Sequence, residues 1–438
     1  MPRITCNGRG FSEVATAVGR MRAERASLGV VVVIAAYFTT VAAAQQPKIV
    51  DPQVVSSGCE TLDIADEGTE QRVAFGAAGL LSASNRAVRI WNEQTHEAKA
   101  TKLDNRGTAG GEPLLFDRTG TQLVTRSGDS IDVWDLQSGK RKTQLPARYA
   151  LQFNNDGTVL LAQDERHEIA LHFSQPGRPP ARVGSSKERL VLSPPPTMTA
   201  DAAVILAQAD DKNVILYDMK SGKRYRVPDL VGPWPAENAA KPTLAAWRFS
   251  DDKQTLFVCA MAQVPEHRKE KGRTIQIQRN VQVFAVWNTK DLVTQELADA
   301  DRISDKARAS DNTKCRPRML LQCARRTSVH DVEIAISSDG QLVALVDDSG
   351  ASLWDVKRKH ILGVIDPPGG GHYSNGAFAN DGSRLALGLH VTHFSIAGDD
   401  PKAVPGRGGL AARGTAHIQL WKTADLRKLF SSQPKEKP

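Results

Sequence analysis

A short pattern of alternating apolar and polar positions recurs along the chain, and each copy ends in an aromatic residue. Residues on a half-buried strand alternate between core and solvent, so each copy predicts a β-strand. In most copies a short polar side chain follows the aromatic residue. The seven copies are VRIWN ending at Asn92, IDVWD at Asp135, IALHF ending in Phe173, VILYD at Asp218, FAVWN at Asn288, ASLWD at Asp355 and IQLWK at Lys422.

A second pattern precedes most of these strands and predicts a hairpin. It reads as strand, tight turn and strand in LLFDRTGTQLV, LQFNNDGTVLL, WRFSDDKQTLF, IAISSDGQLVA and GAFANDGSRLA. Asp and Asn bond their own backbone in such turns, and glycine accepts the positive φ that the turn requires. The glycines are Gly120, Gly157, Gly340 and Gly382. Further turns in LQSGKRK and MKSGKRY predict a fourth strand, so the chain is expected to be all-β, built from repeated four-stranded sheets.

These residues closely resemble the WD-repeat β-propeller family, whose units end their third strand in Trp-Asp. Trp134-Asp135 and Trp354-Asp355 match that dipeptide, and Gly371-His372 matches the family's Gly-His pair. The resemblance covers residues 61–430 and implies a seven-bladed propeller of four-stranded antiparallel blades, in a divergent, bacterial, exported form. The recurring aromatic residues are expected to be core anchors rather than ligand-stacking residues, because they recur at one strand position.

Two ways of completing the first blade remain open. Its missing strand comes either from residues 48–60, within an N-terminal extension of residues 45–60, or from the C-terminal segment LRKLF. The polar tail of residues 431–438 is expected to be disordered.

The spacing between aromatic anchors shows where the repeat is interrupted. It is 43, 39 and 44 residues in the first half, and then 70, 67 and 67. We place the insertions at residues 263–280 and 395–415, between second and third strands, and at residues 298–330, between the fifth and sixth blades. In propellers of the resembled family such connections share one face, called the top. Long loops in compact domains are usually functional or disordered, so this clustering predicts a working face.

Residues 1–44 have the pattern of an export signal. Basic residues precede the apolar run LGVVVVIAAYFTTVAAA, and small residues at Ala42 and Ala44 predict cleavage after Ala44. Translation from Met21 would give a leader of more ordinary length. The mature protein is expected to be periplasmic or secreted, without a stable membrane span.

The cysteines that remain after cleavage are expected in an oxidising space, where disulfides persist. Cys315 and Cys323 are close enough in sequence to close a small loop, and we predict that they pair. For Cys259 two interpretations stay open: a disulfide with Cys59, or a buried thiol in the strand TLFVCAMA.

The predicted disulfide loop is strongly basic. The segment KCRPRMLLQCARR has five basic side chains and no acidic one, and a second basic run lies in the fifth-blade insertion. Guanidinium groups held in a closed loop suit carboxylates or phosphates. We therefore predict a docking loop for a protein with an acidic surface, the alternative being a solvated loop. The predicted contacts are Lys314, Arg316, Arg318, Arg325, Arg326, Arg268, Lys269, Lys271 and Arg273.

No sequence motif indicates a metal, a cofactor, nucleic-acid binding or catalytic residues. His390 and His393 lie three apart, which on a strand places them on opposite faces, so a metal site shared with His372 is not expected. The leading interpretation is a non-catalytic scaffold. One alternative is an enzyme of the hydrolase or quinone-dependent dehydrogenase type, with its site at the central channel. Another is binding of anionic glycan or lipid head groups, which salt would weaken.

Overall fold

The chain forms seven small antiparallel sheets arranged in a ring, which confirms the seven-bladed all-β propeller. Each blade is built on four strands, numbered first to fourth from the central channel outward. The computed structural model describes residues 49–50, 59–64, 72–76, 79–83, 88–91, 98–101, 103, 112–175, 177–184, 190–209, 213–227, 229–231, 242–270, 273–292, 295–297, 317–325, 332–368, 371–396 and 410–432.

The first three blades follow the simple repeat. Blade 1 contains β3 (Arg72–Gly76), β4 (Gly79–Ala83), β5 (Val88–Trp91) and β6 (Ala98–Thr101). Blade 2 contains β7 (Glu112–Phe116), β8 (Gln122–Ser127), β9 (Ser130–Asp135) and β10 (Arg141–Leu145). Blade 3 contains β11 (Tyr149–Phe153), β12 (Val159–Gln163), β13 (Ile169–Phe173) and β14 (Ala181–Val183).

Blades 4 and 5 depart from the simple four-stranded repeat. In blade 4 the first strand is split around three successive prolines, which lack the N–H group that a ladder needs. Blade 4 contains β15 (Leu190–Val191), β16 (Thr197–Met198), β17 (Val204–Ala209), β18 (Val214–Asp218) and β19 (Arg224–Arg226), with β23 (Gln295–Leu297) added outside β19. Blade 5 contains β20 (Thr243–Phe249), β21 (Thr255–Glu270), β22 (Arg273–Asn288) and β24 (Met319–Arg325).

The N-terminal region adds strands to the last two blades. Blade 6 contains β25 (Glu333–Ile336), β26 (Leu342–Asp347), β27 (Gly350–Asp355) and β28 (His360–Ile365), and β1 (Ile49–Val50) pairs in parallel outside β28. Blade 7 contains β29 (His372–Phe378), β30 (Arg384–Ile396) and β31 (Leu410–Lys422), and its fourth strand is β2 (Cys59–Ile64).

The ring is therefore closed in blade 7, by a strand from the N-terminal region. Both expectations for completing the first blade were wrong, because blade 1 has four strands of its own. The segment LRKLF lies in the helix α1 (Thr423–Ser432), not in a strand. Leu426 and Phe430 are four residues apart and pack together against blades 6 and 7, which explains the helix. No helix among the residues described is long and apolar enough to cross a membrane.

The hydrophobic core lies between neighbouring blades. The anchors Trp91, Trp134, Tyr217, Trp287, Trp354 and Trp421 are all buried, as predicted for core residues. Phe173 is only half-buried, and Arg178 covers its ring with the guanidinium carbon 3.6 Å from the ring centroid. The indole N–H of Trp134 donates to Thr125 Oγ1 (2.8 Å) and that of Trp91 to Ser82 Oγ (2.9 Å).

The tight turns between first and second strands have the predicted backbone. Gly120, Gly157, Gly340 and Gly382 have φ between 64° and 70°. Because neighbouring strands are antiparallel, the turns after first and third strands lie on one face of the ring, called here the turn face. The connections from second to third strands lie on the opposite face of the ring, called here the hairpin face.

Candidate functional site

Two long hairpins distinguish the hairpin face. In blade 5, β21 and β22 pair over their whole length, from Thr255–Asn288 to Glu270–Arg273. Their neighbours stop earlier, because β20 reaches only Met261 and β24 only Asn280. Residues 264–270 and 273–279 therefore form a two-stranded ribbon, the blade 5 ribbon, which extends by about 23 Å at ~3.3 Å per residue.

Blade 7 has a similar extension. The strands β30 and β31 pair as far as Ile396–Leu410, whereas β29 and β2 stop level with His390. Residues 391–396 and 410–415 form the blade 7 ribbon, which adds about 20 Å. In blade 6, between the two, the corresponding connection is the tight turn between Asp347 and Gly350. The two ribbons thus flank a short blade on one face of the ring.

The blade 5 ribbon has two unlike faces. Directly opposed residues share a face and alternate residues return to it, so Ile275, Ile277 and Arg279 lie on the face of Arg268 and Glu266. The Arg279 and Glu266 side chains meet there at 3.8 Å. Ile275 is 36% exposed, and no other large apolar side chain in the described residues is so open. The ribbon therefore exposes apolar surface at Ile275, next to the Arg279–Glu266 pair.

The described members of the predicted basic cluster lie at different places. The strand β24 pairs with β22, which makes residues 319–325 the fourth strand of blade 5 rather than a loop between blades 5 and 6. The chain before it connects a third to a fourth strand, which begins at the turn face. The expectation that this insertion joins blades 5 and 6 on the top face was therefore wrong, because the described strand ends on either side of it, Asn288 and Met319, both lie at the turn face. The strand β23, which lies between β22 and β24 in the sequence, pairs with β19 and so belongs to blade 4.

The described contact residues lie at the two ends of β24 and at the tip of the blade 5 ribbon. Exposed Arg318 stands at the turn-face end of β24, and Arg325 at the other end, opposite Asn280 at the base of the blade 5 ribbon. These two positions are seven residues apart along the chain, about 23 Å in a strand. Arg268, Lys269 and Arg273 lie at the far end of the ribbon. The remaining predicted contacts, Lys314, Arg316, Lys271 and Arg326, lie outside the described residues.

The cysteine predictions have different outcomes. Cys323 lies in β24. Cys315 lies outside the described residues, and its pairing with Cys323 stays a prediction. Cys259 is fully buried between blades 5 and 6, whereas Cys59 lies in the outermost strand of blade 7. A disulfide requires Cα atoms within about 7 Å, and blade 6 separates these two positions, so that pairing was wrong.

The first strands enclose a central channel of about 560 Å³ to which every blade contributes. It holds a cluster of charges that the sequence reasoning missed. Strand alternation explains how they reach it. Val332 and Ile334 pack toward blade 5, so Glu333 points the other way, and its Oε2 lies 3.5 Å from Arg72 Nη1 of blade 1. The indole N–H of Trp247 donates to the Pro195 carbonyl of blade 4. Because side chains alternate along the strand, the next residue, Arg248, points toward blade 6, where it donates to the Ile334 carbonyl (3.0 Å).

An ion pair crosses the channel near the turn face. Arg118, which follows Asp117 beyond the end of β7, contacts Asp251, which follows β20 in blade 5 on the far side of the ring. Burial, and then repulsion from Arg248, lowers the pKa of Arg118 to about 10, so Arg118 stays protonated at neutral pH. Burial likewise lowers the pKa of Arg248 and raises that of Glu333, with the neighbouring opposite charges acting against both shifts.

A histidine pair lies at the base of the blade 7 ribbon. The rings of His372 and His390 are 4.9 Å apart. Burial, followed by the nearby His372 and His417, lowers the pKa of His390. The side chain of His393 is not among those described. Within the described part of the chain, no group of three or more His, Cys, Asp or Glu residues is placed to hold a metal ion.

No family model matches the chain, and no curated protein matches it either. Among solved structures, it is similar to the β-propeller domain of Cps50 (Swd1) from Myceliophteria thermophila, with a TM-score of 0.49 and 15% identity. The match covers 83% of this chain and 99% of that chain. The seven-bladed fold is shown by the sheets themselves, while membership of the WD-repeat family stays a prediction.

Proposed function

We propose that this propeller is an exported, non-catalytic scaffold that binds a protein partner with an acidic surface on its hairpin face. The two ribbons carry this proposal, because the other described connections between second and third strands are short. Two-stranded extensions with unpaired outer edges cost conformational entropy and do not enlarge the core, so a role in contact accounts for them better than a role in stability.

The charges of the ribbons favour an acidic partner. The sequence of the two ribbons contains five basic residues, Arg268, Lys269, Arg273, Arg279 and Arg413, and two acidic ones, Glu266 and Glu270. Ile275 and Ile277 supply the apolar contact that interfaces use at their centre. In this proposal Arg268, Lys269 and Arg273 contact the partner, with Arg325 at the ribbon base, and the predicted Cys315–Cys323 bridge stiffens the adjoining segment.

A charge-reversal experiment tests this surface. The ribbon variant Arg268→Glu, Lys269→Glu, Arg273→Glu is compared with a control of the same charge change, Lys140→Glu, Lys220→Glu, Lys357→Glu. The three control lysines are exposed in turns after third strands, on the turn face. Proteins captured from the native compartment are quantified for both variants, and circular dichroism checks folding.

We expect the partner to be lost from the ribbon variant and retained by the control. Equal recovery by both variants would remove the ribbon from the binding site. Binding that falls steeply with salt and is reproduced by anionic vesicles or glycans, without protein, would favour the head-group alternative.

A further inference from the structure

We propose that the central channel binds a small oxyanion, a carboxylate or phosphate group, on Arg248. Such a site would be separate from the hairpin face and from any protein partner. Positive and negative side chains are unevenly placed along the described lining of this cavity of about 560 Å³.

The charged side chains of the channel lie at three levels. Glu333, four residues before the turn residue Ser337, pairs with Arg72 at the level nearest the hairpin face. Arg118 and Asp251 pair at the turn face. Arg248, two residues before the turn residue Ser250, lies between these two pairs. Each pair joins one positive to one negative side chain. The negative charge that acts on Arg248 is that of Glu333, which already pairs with Arg72.

The remaining acid of the lining does not neutralise Arg248. Asp117 is held within its own turn, where its Oδ1 accepts from the backbone N–H groups of Thr121 (2.8 Å) and Gln122 (2.7 Å). The hydroxyl groups of Thr119 and Thr121 donate to its Oδ2. This carboxylate is therefore satisfied locally, as it would be in a purely structural turn.

The guanidinium of Arg248 is suited to an anionic ligand. Its contact with Ile334 uses Nη1, and the residue borders the cavity. A guanidinium offers five N–H donors in a planar fork, which matches the geometry of carboxylate and phosphate oxygens. Its half-buried position weakens hydration and strengthens a bond to an anion. Polar residues from other blades, including Asn155 and Ser374, line the same cavity beside Arg248.

Titration calorimetry on the full chain tests the proposal with four probes: inorganic phosphate, sulfate, succinate and citrate. The variants are Arg248→Gln and Glu333→Gln. The control is Arg358→Gln, since the Arg358 side chain is 67% exposed and lies outside the channel lining. We expect saturable binding of at least one probe, weakened about 10- to 100-fold by Arg248→Gln, the loss expected for charged hydrogen bonds.

The Glu333→Gln variant gives a second arm if Arg248→Gln fails to fold. Removing a competing carboxylate beside Arg248 should strengthen anion binding several-fold, whereas Arg358→Gln should leave it unchanged. Preference for succinate and citrate would identify a carboxylate ligand, and preference for phosphate and sulfate a phosphate ligand. The proposal is overturned if none of the probes binds at concentrations up to about 10 mM, or if a folded Arg248→Gln variant, or else Glu333→Gln, binds them like the wild type.

Discussion

The ion pair between Arg118 and Asp251 should couple opposite sides of the ring, and a double-mutant cycle can measure that coupling. Two unit charges at about 4 Å attract by about 4 kcal/mol at an effective dielectric constant near 20. Ordering an arginine side chain costs up to about 2 kcal/mol. The two side chains are 33% and 29% exposed, so water screens part of the attraction. We expect a net coupling of about 1–2 kcal/mol.

The assay is urea unfolding of the wild type, Arg118→Ala, Asp251→Ala and the double variant, followed by tryptophan fluorescence. A parallel cycle on Arg182 and Glu168 serves as the control. This pair has a 2.5 Å contact within blade 3, but its side chains are 40% and 37% exposed. A surface pair of this kind contributes about 0.5 kcal/mol or less.

Both couplings should fall at about 1 M salt, where the screening length is near 3 Å, and the cross-channel coupling should remain the larger. A cross-channel coupling no greater than that of Arg182 and Glu168 would refute the reasoning. The channel would then not be bridged in solution.

Three further predictions concern the turns. Lys359 has φ 55° at the turn position that Gly139 and Gly222 occupy in other blades with φ 68° and 70°. The variant Lys359→Gly should raise the free energy of unfolding by about 0.5–1 kcal/mol, and Gly222→Ala should lower it by a similar amount. Equal urea midpoints for wild type and variants would contradict the strain argument. A Cβ on Gly76 would lie 2.6 Å from Gly120 Cα; Gly76→Ala should therefore cost about 1–3 kcal/mol in the same assay, since backbone atoms of two blades must separate, and an unchanged midpoint would disprove this contact. Burial alone would raise the pKa of Asp201, but bonds from Lys253, Thr199 and the Ala203 N–H lower it to about 2. The ionised carboxylate therefore stabilises the fold above pH ~4, and this stabilisation is lost as the pH falls toward ~2. It amounts to under about 1 kcal/mol, because the Asp201 side chain is 37% exposed. Asp201→Asn should flatten this part of the pH profile of stability, and an unaltered profile would exclude the contribution.

The repeated fold could be predicted from the sequence because each of its strands and turns is specified by a short local pattern of residues. Trp134 and Trp354 recur at one strand position, and Gly120 and Gly340 take the backbone that their turns require. Each signal depends on a few neighbouring residues. Phe173, the one anchor that is neither Trp nor Tyr, is also the one that is only half-buried, with Arg178 over its ring.

The fourth strand of blade 5 could not be assigned in this way. About thirty residues separate β22 from β24, and the nearer strand-like segment pairs with blade 4 instead. Strand order across such a gap is decided by tertiary pairing, which propensity does not show. The apolar run of Met319, Leu320 and Leu321 was the available signal, since it is better explained by a strand opposite β22 than by a solvated loop.

The channel charges were missed for a different reason. Arg248 lies in WRF and Glu333 in VEIAI, where each reads as the polar half of an ordinary alternating strand. Alternation shows that these side chains leave the face of Trp247 and Ile334, but not that the other face meets the channel. Knowing which strand is innermost would have identified them, because the polar face of such a strand borders the channel.

The pairing of β2 with β31 has a consequence for how the molecule assembles. Cys59 opposes Trp421, so the last blade joins segments from nearly opposite ends of the polypeptide. During synthesis the earlier segment emerges first and has no partner until the final blade exists. Closing the circle is thus a late, high-contact-order event, expected to be slow, and until then an unpaired strand is available to the wrong neighbour.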